Sequence, residues 1–109
     1  KSADRPFIYH RWGGLGSHRY QLGFSGDTFD EWTVLEMLPH FTATASNVGY
    51  GYWGHDIGGH FQKEERDMTR RWYTRWLQYG VFTPIFKTHS TESKYLERKI
   101  WHIRHILNT

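Results

Sequence analysis

At 109 residues and 38% hydrophobic content, the chain is sized for one small domain or one piece of a larger one, and no apolar run approaches the roughly 18 residues of a membrane span. A formal net charge of +3 is too small and too scattered to argue for nucleic acid, and the absence of cysteine excludes a disulfide scaffold without fixing the compartment. The aromatic content of 18%, with six Trp, is well above what a small core needs; such rings often line pockets for flat or ring-shaped ligands and are also dense core material. The chain begins at Lys1 with no signal peptide visible, and reads as the interior of something longer.

In chain order, Pro6 opens a first strand over residues 5–12. Gly13-Gly14-Leu15-Gly16-Ser17 follows as a loop whose spacing is not a dinucleotide fingerprint and which lacks the Lys-Ser/Thr of a phosphate cradle. Residues 19–24 form a second strand ending at Phe24-Ser25-Gly26-Asp27, and residues 28–38 read as a helix with Phe29, Trp32 and Leu35 on its apolar face. Pro39 either ends that helix or starts a second short one through Ala45. Asn47-Val48-Gly49 is a turn, residues 50–53 a third strand, and Gly54 to Gly59 a loop carrying Asp56 just past that strand. Met68, Trp72, Trp76 and Tyr79 recur at helical spacing, with Gly80 placed to end the helix. Residues 85–88 form a fourth strand followed by His89, and Leu96, Ile100, Ile103 and Leu107 mark a last amphipathic helix.

Strands alternating with helices predict an α/β fold with parallel pairing through right-handed crossovers. Four strands do not close an eight-stranded barrel, which needs about 250 residues. The pattern therefore predicts a partial β/α (TIM) barrel or a small open α/β sheet. In either, Arg11, Asp27, Asp56 and His89 all lie at or just beyond the carboxyl end of a strand, so parallel strands bring the four to one rim, where α/β proteins bind ligands. For Asp27 the competing reading is a helix cap, with Thr28 and Glu31 as a capping box.

Several blocks then carry a resemblance. Arg5-Pro6-Phe7-Ile8 with Arg11 behind it, Ser25-Gly26-Asp27, Trp53-Gly54-His55-Asp56-Ile57-Gly58-Gly59, and Arg75-Trp76-Leu77-Gln78-Tyr79-Gly80 followed by Pro84 and His89 occur in the order of glycoside hydrolase family 31. The chain resembles the second half of that family's catalytic β/α barrel, from about the fifth strand through the eighth. The resemblance implies retaining α-glycoside hydrolysis, α-glucosidase first, with α-xylosidase or transglycosylase as alternatives. Position by position, Asp27 resembles the general acid/base, and Arg11, Asp56 and His89 resemble residues that hold the sugar of the non-reducing end. Phe24 stands where many members have Trp, and could stack on the sugar. His60 stands where an aromatic often follows the two glycines. The family's nucleophile, an Asp upstream of these blocks, has no counterpart here, so the resemblance implies a chain that is inactive by itself. Partial burial and an anionic neighbour would raise the pKa of Asp27, and a close Arg11 would oppose that.

The resemblance implies an α-linked oligosaccharide or glucoside as substrate, the rest of the barrel as partner, and no cofactor. No metal is expected: His102 and His105 lie one helical turn apart without a third ligand, and His55 and His60 straddle the glycines without zinc spacing. Trp32, Trp72 and Trp76 are predicted core, and Trp53 faces either the site or the interior. Arg66, Arg70, Arg71 and Arg75 are predicted to form a solvated helix face. The aromatics between them fall on the buried stripe, which disfavours nucleic-acid binding. Two alternatives to the enzyme remain: a non-catalytic carbohydrate-binding piece, and more weakly a nucleic-acid module. Open sheet edges and an uncovered apolar interior predict self-association of an isolated half-barrel.

Overall fold

A computed structural model of the chain describes residues 7–11, 13–61 and 70–89. Met68, Arg66, His102, His105 and the amphipathic pattern of Leu96, Ile100, Ile103 and Leu107 lie outside the described residues.

Three short strands, β1 (Tyr9–His10), β2 (Leu22–Phe24) and β3 (Trp53–Gly54), pair in parallel in that order. Residues 85–88 run alongside β3 in the same direction, joined by parallel bridges at Gly54–Ile85 and Ile57–Thr88. The order along the sheet thus follows the order along the chain, and every connection crosses from one parallel strand to its neighbour. This is the α/β alternation of a partial TIM barrel.

The strands are shorter than the apolar runs suggest. The glycine loop closes on itself, with Gly14 donating to Ser17 Oγ and the Ser17 amide to the Gly14 carbonyl, and the chain turns through a 3-10 segment at Ser17–Arg19 before β2 begins.

The first helix departs from expectation at both ends. Helix α1 spans Trp32–Ala45, starting four residues late and running straight through Pro39. Residues 28–30 are held extended by another partner: the Thr28 carbonyl accepts the amides of His60 and Phe61, and Asp30 donates to the Phe61 carbonyl. Backbone committed to that pairing cannot wind into a helix. Pro39 removes one intrahelical donor, at a cost of about 3 kcal/mol. Leu35 and Leu38 before it and Ala45 after it are all buried, and a break at Pro39 would unseat one end of that stripe. Trp32 is not core, being 45% exposed. The buried stripe is carried by Leu35 and Leu38, and Trp32 sits at the helix start.

Helix α2 spans Arg70–Gly80 and turns Trp72, Tyr73 and Trp76 inward against Leu35, Leu38 and Ile57, which is the main core. Arg71 and Arg75 are exposed, as the solvated face requires. Gly80 is the last residue of α2 and is glycine for a packing reason: a Cβ there would lie 2.8 Å from both Ile57 Cδ1 and the Phe86 ring. A second cluster, Ala45, Tyr50 and Trp53 with Phe41, joins α1 to the sheet and answers where Trp53 points: into the layer between helix and strands.

Candidate active site

The carboxyl ends of the strands carry the polar residues. Arg11 follows β1, and Asp27 lies three residues past β2, joined to Arg11 by an ion pair of 2.6 Å. An open cleft of about 270 Å3 is lined by Arg11, Ser25, Gly26 and Asp27. Because α1 starts at Trp32 with Glu31 at its cap position and no side-chain cap bond, neither Asp27 nor Thr28 caps it. The competing reading of Asp27 therefore falls away, and its carboxylate faces the cleft.

After β3 the loop is zipped on both sides. On one side Ile57 donates to the Lys87 carbonyl and His89 donates back to the Ile57 carbonyl. On the other side His60 and Phe61 donate to Thr28, as described. Between them Gly59 bonds back to the Asp56 carbonyl, with Gly58 and Gly59 at φ 93° and 74°. At Gly59 the demand is double, since a Cβ would also lie 2.9 Å from the Asp30 amide nitrogen. This turn sets Asp56 and His60 beside His89.

The result is one connected network. His60 Nδ1 lies 3.8 Å from Asp27 Oδ1 and 2.8 Å from His89 Nε2, while His89 Nδ1 lies 3.6 Å from Asp56 Oδ1. The Lys87 ammonium pairs with the same Asp56 oxygen, although Asp56 is only 1% exposed. Lys87 also sits 4.8 Å from the centroid of the Phe24 ring and 5.3 Å from that of Tyr9, two rings stacked on each other at 4.6 Å. Burial, and then the Asp56 charge, push the Tyr9 hydroxyl up to about 12. One face of the Phe24 ring is thus taken by Tyr9 within the chain.

All four residues named at strand ends are brought together, with Arg11–Asp27 and Asp56–His89 as two pairs bridged by His60. Three neighbours were missed. Lys87 was legible, because residues 85, 87 and 89 of an extended segment share a face and His89 was already assigned to the rim. Tyr9 stood one residue pair upstream of Arg11 by the same rule. His60 carried no such signal, since its position depends on a turn closing back across two segments.

The upward shift expected of Asp27 belongs to a complete barrel with a second carboxylate beside it; in this chain the opposing effect of a close Arg11 is what acts. The Arg11 hydrogen bond holds its carboxyl below the usual range; desolvation opposes this, and His60, Arg11 and His89 add to the lowering through their charges. His55, adjacent to Asp56, faces other partners: Ser25 Oγ at 2.8 Å, Thr42 Oγ1 at 2.6 Å and the Tyr79 hydroxyl at 3.1 Å. Burial pushes its imidazole down to about 4, so it is neutral at pH 7. As to metal, one ligand atom each from Asp56, His60 and His89 lies within 4.8 Å of the others, a combination that no spacing in the sequence displays.

The sequence profile of the glycosyl hydrolases family 31 TIM-barrel domain matches residues 1–108. The chain belongs to family 31. Among curated family members, human neutral alpha-glucosidase C is 34% identical over 91 residues, covering 84% of this chain and 10% of that protein. A probable glucan 1,3-alpha-glucosidase of Oryza sativa subsp. japonica is 37% identical over 87 residues, covering 80% of the chain and 9% of the relative. Neutral alpha-glucosidase AB of Dictyostelium discoideum is 32% identical over 87 residues, with 80% and 9% covered. The chain thus spans about a tenth of the length of these family 31 relatives.

Proposed function

We propose that the chain supplies the acid/base half of a retaining α-glycosidase site, α-glucosidase in first place, and forms part of the catalytic barrel of a longer protein. The reading rests on one observation above all: Asp27 stands past the end of a parallel strand, caps nothing, and opens into a cleft it shares with Arg11. The alpha-glucosidase names of relatives at 32–37% identity support a glycosidase in general.

Retaining hydrolysis needs two carboxyl groups about 5 to 5.5 Å apart. A nucleophilic carboxylate from the remainder of the barrel attacks the anomeric carbon while Asp27 gives its proton to the departing glycosidic oxygen. Asp27 then takes a proton from water as that water displaces the enzyme carboxylate. Its ionised ground state in this chain makes the second carboxylate necessary twice over, as nucleophile and as the negative neighbour that lifts the Asp27 pKa against Arg11. Arg11, Asp56 and His89 hold sugar hydroxyls, and the chain alone does not turn over.

The depressed Asp27 carboxyl also favours a second reading, in which the rim binds sugar without hydrolysing it. Asp27→Asn in the complete protein separates the two. Loss of about 100- to 10,000-fold in kcat on an unactivated α-glucoside, with a smaller loss on a nitrophenyl glycoside whose leaving group needs no proton, supports the acid role. Unchanged turnover refutes it, and sugar binding by calorimetry with no turnover in the parent protein establishes the binding reading instead.

The exposed Phe7, Leu15, Tyr52, Val81 and Phe82 are the apolar surface that the rest of a barrel, or a second copy of an isolated chain, would cover.

A further inference from the structure

We propose that Asp56, His60 and His89 form a binding site for a divalent transition-metal ion of the zinc class. The donor set is one carboxylate oxygen and two imidazole nitrogens, all within 4.8 Å of one another. Nitrogen-rich sets of this kind suit zinc, cobalt and copper and are poor for calcium and magnesium, which take oxygen.

The backbone fixes the three ligands. Asp56 and His60 leave the same tight turn, closed by the Gly59 amide on the Asp56 carbonyl, and the His89 amide is bonded to Ile57 within that turn. Bonds of about 2.0 to 2.1 Å in a tetrahedral shell put donor atoms about 3.4 Å apart. His60 Nδ1 and His89 Nε2, at 2.8 Å, would open slightly, and the carboxylate would close on them. Side-chain exposures of 26% for His60 and 23% for His89 leave both rings room to make that adjustment and give the ion a path of entry.

The opposing charge is Lys87, whose ammonium pairs with Asp56. A cation must displace it or take the other carboxylate oxygen, which weakens the site. The Lys87 side chain is 36% exposed and lies over the Phe24 and Tyr9 rings, so it has both solvent and a π face to retreat to. Binding does not depend on the glycosidase reading. Its consequence does: Asp56 and His89 are the proposed sugar contacts, so a bound ion would exclude the sugar.

The test uses the complete protein that carries this chain, stripped with EDTA and titrated calorimetrically with zinc chloride, and with magnesium chloride as control. A saturable zinc site that His60→Phe and His60→Gln each weaken by more than the about 10- to 100-fold lost with an outer-shell partner, with magnesium inert, is the expected result. Cobalt chloride should give visible absorption in the parent protein that both variants lack. No saturable zinc site, or unchanged zinc affinity in whichever variant keeps the parent's melting temperature, overturns the proposal. Nitrophenyl α-glucoside kinetics, each protein normalised to its own zinc-free rate, then separate the two readings. A zinc-raised KM in the parent alone joins them. His60-dependent zinc binding with unaltered KM keeps the metal site and removes Asp56 and His89 from sugar recognition.

Discussion

His55 and Asp56 are neighbours in the chain, each only 1% exposed, yet they face partners of different kinds. Trp53 and His55 face the helices: Trp53 packs on Tyr50 and Phe41, and His55 bonds to hydroxyls from α1, α2 and the turn after β2. Gly54 and Asp56 face the segment at 85–89, where a Gly54 Cβ would meet Ile85 at 2.8 Å and Asp56 meets Lys87. The two-residue alternation of extended backbone assigns the sides. On the helix side, uncharged partners keep a buried imidazole neutral. On the rim side, a buried carboxylate is paired with an ammonium. A rim built this way is poised for polar ligands, while the layer behind it is built to stay fixed.

The largest way to break the comparison is to take away Lys87. Lys87→Met strands the Asp56 carboxylate and should destabilise the complete protein by about 3 kcal/mol, the low end for a broken buried pair because His89 remains beside it. Denaturant unfolding measures this, and a change under 1 kcal/mol would mean that the rim charge is not held by that pair.

Next comes pH. His55 titrates at about 4 in the folded chain against about 6.5 unfolded. Below pH 6.5 the unfolded state takes up a proton that the folded state refuses, so stability falls from pH 6.5 down to 4, and it is flat in this respect above 6.5. The full loss is on the order of 3 kcal/mol. Melting temperatures across that window, with EDTA present, should fall less steeply in His55→Gln than in the parent; parallel slopes would contradict a neutral buried imidazole.

The smallest effect comes from Ser25→Ala, which removes the hydroxyl on His55 Nδ1 and should cost about 1 to 2 kcal/mol. Ser25 also lines the Asp27 cleft, so glucoside KM should be followed in the same variant. A loss of stability with KM unchanged assigns Ser25 to the helix side; the reverse assigns it to the rim.

Alternation of apolar runs with helical periodicity determined the α/β class, and the residues that end each run determined which side chains stand at the sheet's carboxyl edge. Both are local properties, written in a few consecutive positions. Arg11, Asp27, Asp56 and His89 were therefore legible from the chain alone. Tertiary structure decided what these residues touch. The start of α1 moved because residues 28–30 pair with Phe61, and Pro39 was tolerated because a buried stripe runs on both sides of it. Asp27 lost its role as a cap and met Arg11 at 2.6 Å, whose hydrogen bond holds its carboxyl below the usual range. His60 joined the rim only because a glycine turn folds back across two segments. Contacts between residues some thirty positions apart, such as His60 with His89, are fixed by how loops are tied to their neighbours, and no period in the sequence records that.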